Sequence, residues 1–447
     1  MLKKPFVLGA PEESPTALSA VMSLKRELEV AGKKIFDMAL GNPTHAIPPW
    51  VQRALELAAR EARMPYTFFG GIPEVRRAVA GHVSRMYGYN WREEHILITD
   101  GIIGGVFAMN ALTMGTGCFS LICAPTYPSY ISRARLCGGE VAIAHTRPED
   151  GWIPSVEELE RCFSKYGDAI RLVTLNYPNN PTGAILSEDK AVELATYLSS
   201  VHERYNRSFL LILDHAYIDF SYETHTHLFS NAMSPSLRDH TVILGTASKL
   251  EAVPSARAGY TVGHKDVIHA LKKIQASVYF GPNHLGQRVL KESLSKEFLK
   301  RRIQLQECIS PVYERKQRFI VERLNSIAKR GGWESLPVPE DCFPKSGMFV
   351  LADFSSVMGK VLPKHLQERL GKTSIEIDSD LARLILLSGS KNGLLDGVAT
   401  ISGEVFGLRP EQGYLRLYVG GSYDTEAAWD EGLHNAMNCF EETLLVL

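Results

Sequence analysis

Short apolar runs alternate with amphipathic segments through the middle of the chain. Ile96-Leu-Ile-Thr, Phe119-Ser-Leu-Ile-Cys, Glu140-Val-Ala-Ile-Ala, Ile170-Arg-Leu-Val-Thr-Leu, Phe209-Leu-Leu-Ile-Leu-Asp, Thr241-Val-Ile-Leu and Tyr260-Thr-Val-Gly read as strands. Between them the pattern predicts helices over 101–114 and 129–137, one opened by the capping box Ser155-Val-Glu-Glu158, and one capped by Ser187 with Ala191, Leu194, Ala195, Leu198 and Val201 on one face. Nearly continuous apolar strands alternating with helices predict an α/β fold, a mostly parallel sheet covered on both faces. Upstream lie a helical pattern over 16–30, a strand over 35–40 closed by the turn Gly41-Asn42-Pro43, and helices over 50–63 and from Pro73. His82 falls on the apolar stripe of the last and reads as a satisfied core histidine. A long helical stretch, 264–330, leaves this domain. Strands over 347–353, 397–401 and 414–419, with helices over 378–387 and 425–445, form a smaller α/β domain. The expected organisation is an arm (1–50), a large domain (51–312) and a small C-terminal domain (313–447) whose weakly periodic segment 356–376 looks inserted.

The chain has 447 residues, 45% hydrophobic and 22% charged, enough for two domains with large cores. A net charge of −1 gives no broad footprint for nucleic acid or an anionic membrane, and the basic run Lys300-Arg301-Arg302 reads as a solvated helix face. Seven scattered cysteines without CxxC spacing fit a reducing compartment rather than a disulfide framework or a zinc site. The N-terminus is not a convincing signal peptide and no long apolar run reads as a membrane span, so a cytoplasmic location is expected.

Candidate chemistry gathers at strand ends. Ligands of such sheets bind beyond the carboxyl ends of the strands, and Gly101, Asn180, Asp214 and Lys249 all follow strand ends. Lys249 ends the run Gly245-Thr246-Ala247-Ser248-Lys249, eight residues before Arg257. A desolvated lysine forms Schiff bases with carbonyls, while Thr246, Ser248, Arg257 and the backbone of Gly101-Ile102-Ile103 at a helix start suit a phosphate. Pyridoxal phosphate (PLP) carries both an aldehyde and a phosphate. Asp214 suits its pyridine nitrogen, Tyr217 and Asn180 its phenolic oxygen, and Tyr127 its ring face. Arg416, between apolar neighbours in a strand, suits a substrate carboxylate. Each residue also has a plainer reading: a snorkelling lysine, packing glycines, a turn-capping aspartate, an aromatic under a proline turn, an outward-facing arginine.

The ordered set Asn180-Pro-Thr-Gly, Asp214-His-Ala-Tyr217, Ser248-Lys249, Arg257-Ala-Gly-Tyr and Tyr414-Leu-Arg416 resembles the class I/II aminotransferases of PLP fold type I, from about Asp37 to Leu447. The resemblance implies a seven-stranded sheet sandwiched by helices, with Lys249 as the Schiff-base lysine and Asp214 as the pyridine partner. It implies Asn180 and Tyr217 on the phenolic oxygen, Tyr127 on the ring, and Gly101, Ile102, Thr246, Ser248 and Arg257 on the phosphate. Arg416 would take the substrate α-carboxylate and Gly41 would line the pocket. Tyr66 would reach the partner subunit's phosphate in a homodimer with shared sites. The implied reaction is amino transfer between an α-amino acid and a 2-keto acid. Other PLP chemistry (β-elimination, decarboxylation, oxidative deamination) and a non-catalytic PLP-binding protein are the alternatives. Three features depart from the family pattern: Ser255 where a glycine is usual, Ile102 where a small residue is usual, and the 356–376 segment. Members acting on dicarboxylates present a partner arginine from the segment matching Gln275-Ala-Ser-Val-Tyr; none stands here, which disfavours aspartate or glutamate specificity.

Overall fold

A computed structural model describes residues 17–62, 64–205, 209–420 and 425–447. Residues 1–16 of the expected arm and Arg63 at the end of the expected helix lie outside them. After a helix at Ala17–Val30, the strands in chain order are β1 (Ile35–Asp37), β2 (Ile96–Asp100), β3 (Phe119–Ala124), β4 (Glu140–His145), β5 (Ile170–Asn176), β6 (Leu210–Asp214), β7 (Thr241–Thr246), β8 (Ala258–Val262), β9 (Phe349–Asp353), β10 (Gly397–Ala399), β11 (Ile401–Ser402) and β12 (Tyr414–Tyr418). Seven of them form one sheet in the order β2-β8-β7-β6-β5-β3-β4. All neighbours run parallel except β8, which is antiparallel to both β2 and β7.

The apolar runs are continuous because both faces of the sheet are covered. Val173 and Leu175 of β5, Leu211 and Leu213 of β6 and Ile243 of β7 enter one core. Their alternates Leu172, Ile212, Val242 and Leu244 enter the other, against Val106 and Met109 of the helix Gly101–Thr113. The small domain has its own core around β9 and β12, closed by the helices Leu299–Arg330 and Glu426–Leu444. The expected boundary at 312/313 falls inside the first of these helices. The N-terminal helix packs on this domain through Val21, beside Leu386, Ile401 and Phe406.

Several expectations need correction. The 264–330 stretch is three helices, Lys265–Tyr279, His284–Leu294 and Leu299–Arg330. The first break falls at Phe280-Gly281-Pro282, where Phe280 has φ 66°. The 397–401 strand is two: β10 pairs in parallel with β1, while β11 pairs antiparallel with β12. The weakly periodic 356–376 segment, read as inserted, has regular structure packed into the small domain. Its helix Lys364–Leu370 and the bridge Val361–Ser374 bury Leu362, Leu366, Leu370 and Ile375 in that core. His82 is a core residue, but its Nε2 has no hydrogen-bond partner, and burial pushes its pKa down to about 3. The basic run is only partly solvated: Lys300 and Arg301 are exposed and Arg302 is buried. No helix among the described residues is long and apolar enough to cross a membrane.

Candidate active site

One cavity of about 320 Å³ opens at the carboxyl ends of β5, β6 and β7, where the small domain and the segment after β1 meet the sheet. Gly41, Ile102, Ile103, Tyr127, Asn180, Asp214, Tyr217, Thr246, Ser248, Lys249, Arg257 and Arg416 all line it. Gly101 stands directly behind Arg257. Tyr66 does not reach the cavity of its own chain; it is 87% exposed, with its ring 5.1 Å from that of Phe280.

Lys249 follows a built turn. Thr246 Oγ1 at the end of β7 accepts the Ser248 N–H at 3.0 Å and donates to Ala258 O at 2.6 Å, tying this turn to β8. Nζ of Lys249 donates to Gly41 O at 3.0 Å and lies 5.4 Å from the Tyr217 ring centroid. Burial, and next the neighbouring Arg416, push its pKa down to about 8, while Asp214 acts the other way. Gly41 is delivered by the turn after β1, where Asp37 Oδ1 accepts the N–H groups of Ala39 and Leu40. Phe349 packs so closely on Gly41 that a side chain there would collide with its ring.

Asp214, only 3% exposed at the end of β6, accepts from Tyr130 Oη at 2.5 Å and from Ala216 N at 2.9 Å. Burial raises its carboxyl pKa to about 6, against the opposing pull of these two donors and Lys249. Tyr130 was not anticipated as a site residue. The sequence signal was its place in Pro125-Thr-Tyr-Pro-Ser-Tyr130, three positions after Tyr127 and in the first turn of the short helix Ser129–Leu136. Asn176, also unanticipated, accepts the Asn180 N–H through Oδ1 at 3.0 Å and donates Nδ2 to Asp214 O at 3.1 Å, holding the loops after β5 and β6 together.

Gly101 opens its helix with φ 70°, and its N–H donates to Arg257 O at 2.9 Å. Its amide is therefore committed, whereas Ile102 and Ile103, whose first-turn amides have no intrahelical acceptors, line the cavity. Arg257 adopts φ 52° and donates Nη1 to Pro254 O and Nη2 to Asp100 O, at 2.8 and 3.1 Å. A Cβ on Gly101 would occupy the place of that guanidinium. Hydroxyls, first-turn amides and a guanidinium thus form a concave donor set that suits a phosphate.

Arg416 points inward from β12 and is 6% exposed. It donates Nη1 to Asn180 Oδ1 at 3.2 Å and Nη2 to Ala39 O, but Nε is buried with no partner. Phe349 and Phe406 flank the guanidinium at 4.2 and 4.9 Å from their ring centroids. A buried guanidinium bonded only to neutral oxygens, with one N–H orphaned, suits an incoming carboxylate.

The seven-stranded sheet with its second, smaller domain is the architecture of PLP fold type I. The chain belongs to the aminotransferase class I and II family, which it matches over residues 33–425. It is 27% identical over 422 residues to an aspartate aminotransferase of Pyrococcus horikoshii, covering 94% of each chain. It is 26% identical over 343 residues to an aspartate/prephenate aminotransferase of Thermus thermophilus, covering 77% of this chain and 83% of that one. Among solved structures, a Thermus thermophilus aspartate aminotransferase mutant superposes with a TM-score of 0.79 at 23% identity, covering 99% of this chain and 100% of that one. The aspartate aminotransferase of Rhizobium meliloti gives 0.78 at 22% identity, covering 98% and 99%.

Proposed function

We propose that this aminotransferase holds pyridoxal 5′-phosphate in the cavity and moves an amino group between an α-amino acid and a 2-keto acid, with Lys249, Asp214 and Tyr217 as its catalytic residues. The reading rests above all on one observation: a buried lysine of lowered pKa and a buried arginine with an orphaned N–H share the same cavity.

In this reading the residues fit the cofactor. Ile102 and Ile103 amides, Thr246, Ser248 and Arg257 take its phosphate, and Gly101 leaves room for Arg257 to do so. Asp214 pairs with its ring nitrogen, Tyr127 lies on its ring, and Asn180 and Tyr217 donate to its phenolic oxygen. Lys249 holds it covalently through Nζ. When bound, the cofactor supplies an electron sink for a bond broken at the substrate's Cα. The chain's own groups do the rest. Arg416 fixes the substrate carboxylate and so orients Cα. Lys249, whose pKa is pushed down to about 8, would have a useful neutral fraction near neutral pH, so that Nζ would serve as the base that takes the proton from the substrate's Cα. Asp214 keeps its negative charge for the ring, with Tyr130 and Ala216 N–H holding the carboxylate in orientation.

A homodimer with shared sites, in which Tyr66 reaches the partner's phosphate, and a cytoplasmic location complete the proposal. The test is exchange of amino groups by the cofactor-loaded protein. Stoichiometric conversion of an amino acid to its keto acid, reversed by adding a keto acid, supports it. Release of ammonia or carbon dioxide instead assigns a different PLP chemistry.

A further inference from the structure

Leu40, Gly41 and Asn42 form one wall of the cavity, and the Gly41 carbonyl accepts from Lys249 Nζ at 3.0 Å. Between β1 and the helix Pro49–Ala59 this wall is irregular chain, held by side chains from elsewhere. Tyr418 of β12 donates its hydroxyl to Asn42 O. Tyr313 Oη, on the helix Leu299–Arg330, accepts the Thr44 N–H at 3.0 Å. The segment's own His45 makes a third link, which runs to the lysine's loop. Its Nε2 lies 2.8 Å from O of Leu250, the residue next to Lys249, and its Nδ1 lies 3.0 Å from Tyr313 Oη. A carbonyl only accepts, so Nε2 carries the ring hydrogen, and Nδ1 of the neutral ring accepts the Tyr313 O–H. One tautomer thus satisfies the whole chain of bonds from Thr44 N–H to Leu250 O. Burial pushes the His45 pKa down, against the pull of the Leu250 bond, so the ring is uncharged at neutral pH. His45 stands outside the cavity wall, and Leu250 is buried in the small domain's core. Two links therefore join the same two stretches: Gly41 O to Lys249 Nζ, and His45 Nε2 to Leu250 O.

We propose that His45 is a positioning residue, which latches the segment after β1 to the backbone beside Lys249 and so holds the Gly41 carbonyl against Nζ. Its consequence for the reaction rests on the function proposed above. An amine that donates one N–H to a fixed carbonyl is kept in one place for the Cα proton, whereas an untethered lysine side chain samples many rotamers.

Two variants of the full-length protein test this. His45→Phe keeps a ring against Phe220 and Tyr313, whose centroids lie 6.4 and 5.7 Å from that of His45, and removes both hydrogen bonds. His45→Gln offers an amide N–H to Leu250 O and an amide oxygen to Tyr313. In cofactor-free protein, hydrogen exchange read by mass spectrometry should be about tenfold faster in His45→Phe than in wild type over the peptide from Leu40 to Ile47. His45→Gln should stay close to wild type there, and the helix Leu299–Arg330 should be unchanged in both. In cofactor-loaded protein, exchange of the Cα hydrogen in heavy water is followed with L-aspartate, L-leucine and L-phenylalanine, normalised to the cofactor fixed on Lys249 by borohydride. His45→Phe should be about tenfold slower, with the rate at saturation rather than the half-saturating concentration carrying the loss, and His45→Gln should recover most of it. Unchanged exchange over Leu40 to Ile47 in His45→Phe overturns the latch. Faster exchange there with an undiminished Cα rate makes His45 a stability element and overturns its role toward Lys249. If wild type exchanges the Cα hydrogen of none of the three, the failure lies with the proposed reaction on these donors, and the exchange over Leu40 to Ile47 decides the latch by itself.

Discussion

Lys249 owes its lowered pKa first to burial and next to Arg416, both of which disfavour an ammonium. Its Nζ is therefore mostly protonated below about pH 8, and its reactive neutral form grows as pH rises through that value. In cofactor-free protein, the rate of Lys249 modification by an aldehyde reagent should rise with a midpoint near pH 8, and Arg416→Met should move the midpoint upward. An unmoved midpoint would dissociate the two groups. Gly101 is the second residue with a sharp expectation. Its φ of 70° and the guanidinium behind it leave no place for a side chain, so Gly101→Ala should weaken cofactor binding by about tenfold or more, measured by equilibrium titration with the cofactor. Lys249 and Asp214 were readable as candidates because their chemistry is scarce at strand ends, and Arg416 because a charge between apolar strand neighbours is scarce too. Tyr130 was not, because a tyrosine beside another tyrosine and a proline has an ordinary packing explanation.

At the scale of elements, a buried ion cluster ties the catalytic loops to the helix that leaves the large domain. Arg302 donates Nε to Glu251 Oε1 at 2.9 Å, and Nη1 and Nη2 to the two carboxylate oxygens of Asp219 at 2.7 and 2.5 Å. Glu251 lies two residues beyond Lys249, and Asp219 two beyond Tyr217. Arg302 thus clamps both loops to the helix Leu299–Arg330. Arg302→Met would strand two buried carboxylates and should cost about 3–5 kcal/mol of stability by denaturant unfolding, with Arg302→Lys losing less. The sequence hid this cluster because its carboxylates stand 51 and 83 positions from Arg302, and a Lys-Arg-Arg run in a helical pattern otherwise predicts solvent. The helix break at Phe280-Gly281-Pro282 is, by contrast, legible in its Gly-Pro dipeptide, a local turn signal that overrides the flanking helical periodicity.

At the scale of the molecule, the alternation of apolar runs and helices predicted a two-face-covered sheet because that pattern has few other solutions. The strand order, the antiparallel insertion of β8 and the pairing of β1 with β10 depend on long-range contacts that no local window contains. The exposed aromatic group of Tyr66, Phe68, Phe69 and Phe280 is the surface expected to meet a second copy. If sites are shared, mixing inactive Lys249→Ala subunits with weakened Tyr66→Ala subunits and letting them exchange should restore activity above the sum of the two, because one site per heterodimer is intact. Activity equal to that sum would place each site within one chain. The proposed chemistry hangs on one covalent bond, that of Lys249 Nζ to the cofactor. Reduction of the cofactor-loaded protein with borohydride, followed by proteolysis and mass spectrometry, should place the cofactor's mass on the peptide containing Lys249 and leave Lys249→Ala unlabelled. Label on another lysine, or no label on cofactor-loaded wild type, would contradict it.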